Sequence, residues 1–366
     1  MLTRIYIDNF RCFVNFEYRP ERKQLLLGAN GSGKSSLLDV VVYLKQFLRG
    51  EEHEFTQSTR TRWQDRPVQV FEIEALLDKQ KYEYRVEIRL DSGTKQLSVS
   101  QERLTVSGAT VFELAKGEIH FFPNNSSQAA TVPLETTTSA LHLSLLSNSH
   151  VHRFVKWMKE SVHCFRIDTF STYREESADR EEPEPDYALH NLAGWYRRSV
   201  QAHPDLNVRF LASMKEAIAG FRALRFSSDE GGIRKIRADF VGPRKAAVNY
   251  AISELSDGQW CLLALYMILH FLIARGDTVF IDEPDNYLSL REIQPWLLAA
   301  EEALEDHKGQ LILVSHHPEI LNQWAQTYGL HFFREKNGQV RTGKFKPDPG
   351  GNLPPAELIA RGWEDE

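Results

Sequence analysis

Ile5 and Ile7 alternate with polar Arg4 and Asp8, and the apolar run Leu25-Leu26-Leu27 stops at Gly28. Both patterns read as strands, the second one buried. Beyond the glycines, Leu37, Val41, Leu44 and Leu48 recur at helical spacing with Gly50 as the stop. The first fifty residues therefore read strand, strand, loop, helix. Residues 68–122 change period. Tyr82, Tyr84, Val86, Ile88 and Leu90 face one way, Glu83, Arg85, Glu87 and Arg89 the other, and Asp91-Ser92-Gly93 and Ser107-Gly108 supply turns. An antiparallel meander follows. Residues 124–138 are polar and read as irregular, and 140–160 and 188–222 read as helical. The last third alternates again: an apolar helix over Ser256–Ala274, a buried strand Thr278–Ile281, a helix Leu290–Leu304 and a strand Leu311–Val314. That order is a right-handed βαβ unit. The class is α/β, with divisions expected at 1–139, 140–245 and 246–366.

Composition narrows the class. With 366 residues, 42% hydrophobic and 26% charged, the chain suits one large domain or two modest ones and excludes disordered, collagen-like and coiled-coil proteins. Cys12, Cys164 and Cys261 are too scattered for a disulfide framework and point to a reducing, cytoplasmic setting. No leader sequence is expected, because Arg4, Asp8 and Arg11 break the opening residues. The longest near-apolar run, Cys261–Ala274, reaches about 21 Å as a helix, short of roughly 30 Å of bilayer hydrocarbon, so no membrane partner is expected. A net charge of −6, from 44 basic and 50 acidic residues, leaves any DNA contact to local patches. The candidates are Arg60, Arg62 and Arg66, and Arg234, Lys235, Arg237, Arg244 and Lys245. Surface solvation is the simpler account of both. The acid-rich stretch Glu175–Asp186 reads as a solvated loop, or as a docking segment for a basic partner.

Four motifs carry the chemistry. Gly28-Ala29-Asn30-Gly31-Ser32-Gly33-Lys34-Ser35 fits GxxxxGK[ST] between a strand and a helix. Glycines there let backbone N–H groups wrap phosphates, and the helix start adds the positive end of its dipole. Lys34 reaches the β- and γ-phosphates, the Ser35 hydroxyl suits Mg²⁺, and Asn30, Gly31, Ser32, Gly33 and Ser36 complete the phosphate cradle. In Thr278–Pro284, Asp282 and Glu283 close an apolar strand, where α/β folds bind ligands. Asp282 suits the Mg²⁺ hydration shell and Glu283 the activation of water. In Leu255-Ser256-Asp257-Gly258-Gln259, the S-x-x-Q spacing reads as a capping box, and Ser256, Gly258 and Gln259 at the same helix start also suit a γ-phosphate. The two readings are compatible. Finally, His316 follows the strand Leu311–Val314 in Ser315-His316-His317-Pro318, placed to contact a γ-phosphate. A metal pair of His316 and His317 lacks the accompanying ligands of a zinc site.

In this order the motifs resemble the Walker A loop, signature, Walker B strand and switch histidine of ABC-type ATPases. Asn9-Phe10-Arg11-Cys12-Phe13 ahead of them is similar to the branch containing the SMC, RecF and OLD proteins. L-S-D-G, D-E-P-D-N-Y-L, S-H-H-P and His190–Trp195 most resemble compact OLD-like ATPases. The resemblance covers residues 1–50 and 250–320, and Asp257 departs from the common L-S-G-G-Q. The interval from Lys34 to Ser256 is too long for a transporter cassette and too short to hold a chromosome-organising coiled coil.

The resemblance implies an ABC-ATPase head with a mixed central sheet, an antiparallel β subdomain and an inserted helical subdomain. It implies ATP and Mg²⁺ as ligands, Arg11 at the nucleotide, and Gln69 as the glutamine that reaches the metal. It also implies a head-to-tail homodimer in which the signature of one chain completes the ATP site of the other. Fifty residues after His316 hold no paired-aspartate nuclease motif. The function expected is therefore an ATPase switch or sensor for a separate effector, a nuclease or toxin, in anti-phage defence. A RecF-like DNA-binding clamp in repair or replication is the alternative. A scaffold that binds ATP without turnover conflicts with Glu283.

Overall fold

The computed structural model describes residues 1–51, 55–90, 97–122, 130–133, 136–141, 148–167, 177–228, 232–243, 246–334, 336, 338–348 and 353–362. These form two compact units. One is drawn from Met1–Val162 and Tyr328–Lys346, the other from His163–Thr327 and Pro347–Arg361.

The first unit is organised by an eight-stranded sheet. Its spatial order is Phe16–Tyr18, Leu2–Asp8, Val68–Leu77, Gln80–Leu90, Leu97–Val106, Ala109–Ala115, Glu118–Phe121 and Ala130–Pro133. The expected meander is present. Pairing aligns Ile5, Ile73, Tyr84, Leu104 and Phe112 in one row across five strands, all buried, which is how period-2 patterning becomes a core face. On the other face Arg4 pairs with Glu17, Glu72 and Glu74. Tight hairpins close at Asp78-Lys79, Ser107-Gly108 and Lys116-Gly117, every one of these residues at positive φ, as two-residue loops require. The turn expected at Asp91-Ser92-Gly93 lies outside the described residues. The helix Lys34–Arg49 buries Leu37, Val41, Leu44 and Leu48, as its spacing predicts, and stops at Gly50 in the left-handed region. A smaller sheet joins Lys23–Leu27 in parallel to Gly329–Arg334, which pairs antiparallel with Val340–Lys344.

In the second unit Thr278–Asp282 pairs in parallel with Gln310–Val314, Asp282 opposite Val314. The helix Leu290–Asp306 connects them, opened by a capping box of Ser289 and Glu292. The expected βαβ unit is formed. Val162–Arg166 lies on the other side of Thr278–Asp282. The apolar helix runs Asp257–Phe271 and continues as a short turn to Arg275. Together they pass a membrane-span test by length and hydropathy, yet 78% of the apolar stretch is buried within the protein. It packs as a core helix: Phe271 meets Tyr196 and Phe210, and Trp296 donates its indole N–H to the Leu265 carbonyl.

Several stretches differ from their sequence reading. The helical stretch expected over 188–222 divides into Leu192–Ala202 and Pro204–Ala217, because Pro204 can start a helix but not continue one. After Gly220 at positive φ, Phe221–Ser228, Arg234–Val241 and Ala247–Ala251 build a three-stranded antiparallel sheet instead of more helix. Its apolar side (Leu224, Ile236, Ala238, Phe240) alternates with Arg225, Arg237 and Asp239, and those interspersed charges obscure the period. Phe16–Tyr18 and Ala130–Pro133 are strands too short for periodicity to show.

Candidate nucleotide site

The candidate residues fall in both units. In the first, the chain leaves the strand Lys23–Leu27 at Gly28, whose φ is +129°. A Cβ there would stand 2.1 Å from the Phe332 carbonyl oxygen, so only glycine fits. Gly33, φ +111°, would place a Cβ 2.9 Å from Val340 Cγ2 and 3.2 Å from Cys12 Sγ. Gly33 is also the N-cap of the helix Lys34–Arg49 and offers it no side-chain cap. A helix start with no side-chain cap of its own is an arrangement that suits an anion. Asn30, Gly31 and Ser35 are exposed. Ser32 is buried, its hydroxyl without a hydrogen-bond partner among the described residues. Lys34 is buried and folds back over the loop, donating from Nζ to the Gly28 carbonyl at 2.6 Å and the Ala29 carbonyl at 3.1 Å.

Arg11 lies beside this loop. Its backbone, at φ +47°, is pinned by donation to the Thr59 carbonyl at 2.7 Å. Its guanidinium pairs with Asp39, donates to the Tyr43 hydroxyl at 3.1 Å and to Ser36 Oγ at 3.4 Å, and lies over the Phe10 and Tyr43 rings. A cation is thus held one side chain away from the helix start. Gln69 is placed differently from its expected role at the metal. It is 0% exposed, and its amide nitrogen donates to the Asn9 and Thr59 carbonyls at 3.0 and 3.2 Å. The side chain ties two loop segments together, and burial keeps it off the exposed rim.

In the second unit Asp282 and Glu283 end the strand together. Asp282 is buried. Glu283 continues the parallel ladder by donating its N–H to the Val314 carbonyl at 2.8 Å, then turns at φ +52°. A left-handed glutamate is the kind of backbone strain that gathers at working sites. Asn286 donates its side-chain amide to Glu283 Oε2 at 2.9 Å and to the Ile167 carbonyl at 3.3 Å. Ser315 donates to Asp285 Oδ1 at 2.5 Å and accepts the His317 N–H at 2.9 Å. Burial pushes the Asp285 carboxyl above its ordinary value, its largest cause, with the Ser315 hydrogen bond acting against the shift. His316 projects from this pinned turn and is exposed.

The signature helix begins as its spacing predicts. Ser256 Oγ accepts the Gln259 N–H at 3.3 Å and Gln259 Oε1 accepts the Ser256 N–H at 3.1 Å. Unlike the helix after the phosphate loop, this one caps itself. A Cβ on Gly258 would meet the Tyr287 carbonyl at 3.0 Å, so the signature start packs closely on the turn that follows Glu283. The structure therefore joins Asp282, Glu283, the signature and the Ser315–His317 turn. The residues that sequence reasoning missed are Asp285, Asn286 and Ser315. Their signal was present, since both Asp285 and Asn286 sit directly behind the Asp-Glu-Pro of the strand end.

Of the basic positions, Arg234, Lys235 and Arg237 lie on one strand, Arg66 reaches Asp8 at 3.6 Å, and Arg244 and Lys245 lie outside the described residues. Among the described residues no group of three His, Cys, Asp or Glu side chains forms a metal cage.

A family model described as "AAA domain, putative AbiEii toxin, Type IV TA system" matches residues 25–322. No curated protein matches the chain. Among solved structures, an SMC head bound to the C-terminal winged-helix domain of ScpA aligns over 94% of this chain and 98% of its own, with a TM-score of 0.60 at 11% identity. An SMC head with an extended coiled coil, bound to the C-terminal domain of a Pyrococcus furiosus ScpA, aligns over 100% of this chain and 98% of its own, with a TM-score of 0.50 at 9% identity. At such identities the likeness is one of fold.

Proposed function

Since the chain belongs to this AAA-domain family and has the fold of an ABC-type P-loop ATPase head, we propose that it binds and hydrolyses ATP, and that ATP joins two copies of it head to tail. The observation that carries the reading is the glycine-started helix at Lys34. Two glycines that tolerate no side chain shape the loop, and a helix with no side-chain cap opens out of it. A polyphosphate supplies the acceptors such a helix start needs.

Each residue then has a role set by its chemistry. Backbone donors of residues 30–36 hold the phosphates, and Lys34 exchanges its loop carbonyls for the β- and γ-oxygens. Mg²⁺ takes few protein oxygens and keeps several waters, and the Ser35 hydroxyl and the Asp282 carboxylate are each an oxygen that suits it. When bound, the ion neutralises charge on the phosphates. Glu283 orients and deprotonates the attacking water, and His316 reads the γ-phosphate. Ser256, exposed, and Gly258 and Gln259, half-buried, at their self-capped helix start meet the γ-phosphate of the other copy. Arg11 adds positive charge at the nucleotide.

The ATP-held pair would act as a switch for a separate effector, in keeping with the toxin–antitoxin wording of the family description. A partner that binds only one nucleotide state shifts the equilibrium by its differential affinity. Glu283→Gln tests the core of the proposal. Light scattering should show Mg·ATP converting this variant to a dimer while phosphate release falls about a hundredfold or more. Undiminished phosphate release, or a monomer at saturating ATP, would overturn it.

A further inference from the structure

Trp63 is 51% exposed, and the Arg334 guanidinium lies over its ring, 5.7 Å from the centroid. A lone exposed aromatic needs no explanation. This one is held in place. Gln64 donates its N–H to the Thr61 carbonyl at 3.1 Å, closing a turn around the tryptophan. Thr61 is anchored by donation to Asn9 Oδ1 and the Phe13 carbonyl, both at 3.3 Å. That anchor is the segment bearing Arg11 and Cys12, and Cys12 lies against Gly33 of the phosphate loop. Arg334 is also fixed. Its Nε donates to the Gly338 carbonyl at 2.8 Å, and its Nη1 reaches the Gly31 carbonyl at 3.5 Å. An exposed aromatic face on an anchored turn and a guanidinium plane therefore meet at the rim of the phosphate loop.

This pairing is the chemistry that recognises a nucleobase. Bases stack on aromatic rings and on guanidinium planes, and a tryptophan face draws a cation or an electron-poor ring. We propose that Trp63, backed by Arg334, is the stacking platform for the base of the nucleotide whose phosphates the loop 28–36 holds. The proposal rests on the nucleotide-binding reading above and adds to it the subsite that takes the nucleoside. Stacking engages the face of a base and not its hydrogen-bonding edge, so the platform raises affinity for purine nucleotides without choosing between them.

Calorimetric titration of the full chain with Mg·ATP, Mg·GTP and Mg·tripolyphosphate separates the two claims. Wild-type protein should bind both nucleotides more tightly than tripolyphosphate. Trp63→Ala should weaken ATP and GTP about tenfold or more, leave tripolyphosphate unchanged, and be largely rescued by Trp63→Phe. Unaltered ATP affinity in Trp63→Ala overturns the platform, as does an equal loss for tripolyphosphate, which would mean a distorted loop. Wild-type protein that binds tripolyphosphate as well as ATP also overturns the platform and leaves the phosphate loop standing. Binding of neither overturns both.

Discussion

Asn286 donates its side-chain amide to the carboxylate of Glu283 at 2.9 Å, three residues along the same turn. The bond fixes which oxygen of Glu283 remains for water, and the second contact of Asn286, to the Ile167 carbonyl, fixes Asn286 itself. Exchanging the amide for a carboxylate removes the donor and sets a like charge beside the proposed base. Asn286→Asp should lower kcat about tenfold to a hundredfold, because the Glu283 carboxylate loses the donor that orients it. ATP affinity should hold. A kcat equal to that of wild type would show that Asn286 merely packs.

Ser315 stands between two groups with opposite needs. It donates a hydrogen bond to the half-buried Asp285 carboxylate and accepts one from the His317 N–H, so removing the hydroxyl leaves an acceptor and a donor unsatisfied. Ser315→Ala should cost about 1–3 kcal/mol of stability and loosen the turn presenting His316. Phosphate release should fall while ATP binding changes little. Ser315→Thr, which keeps the hydroxyl, should retain most of the activity. Chemical denaturation and steady-state turnover on the same preparations check both halves.

Glycines of one motif differ in what they tolerate. Gly28 and Gly31 both have positive φ, yet a Cβ on Gly31 meets nothing within 4 Å while one on Gly28 stands 2.1 Å from a backbone oxygen. Gly31→Ala should cost about 1 kcal/mol, the price of a left-handed alanine. Gly28→Ala must displace the strand Gly329–Arg334 and should cost several times more. Melting curves without nucleotide distinguish them, and equal losses would contradict the close approach of Phe332.

How much of this could be read beforehand depends on range. The phosphate loop, the capping box at Ser256 and the βαβ unit are local: each is a run of residues whose spacing carries its own geometry. The row Ile5–Ile73–Tyr84–Leu104–Phe112 was half legible, because alternation marks the buried face but not which strands will be neighbours. The sheet of residues 221–251 was missed because Arg222, Arg225, Arg234 and Arg237 interrupt its apolar period. The depth of Gln69 was not legible, because position at a strand start says nothing of burial. The meeting of Trp63 with Arg334 was out of reach altogether, since 271 positions separate two residues that only the folded first unit brings together.

The buried Glu102 makes the first unit sensitive to pH. Its carboxylate accepts hydrogen bonds from the Tyr84 hydroxyl, the Ser139 hydroxyl and the Ala140 N–H, and burial, the dominant cause, raises its pKa from 4.5 to about 7. A carboxyl whose pKa is raised on folding stabilises the fold below its unfolded value, and that contribution is lost as pH rises through about 7. The loss over this window is about 3 kcal/mol. His270, in the second unit, works in the reverse sense. Burial lowers its pKa from 6.5 to about 4, so stability there declines as pH falls through that range. Each variant must therefore be compared with wild type at the same pH. Glu102→Gln keeps an oxygen for the Ala140 N–H and turns its nitrogen toward two hydroxyls that can rotate to accept. Relative to wild type, it should be more favourable at pH 8 than at pH 4.5 by about 3 kcal/mol in urea denaturation. A stability difference between the two proteins that stays constant over that range would mean that Glu102 does not titrate there.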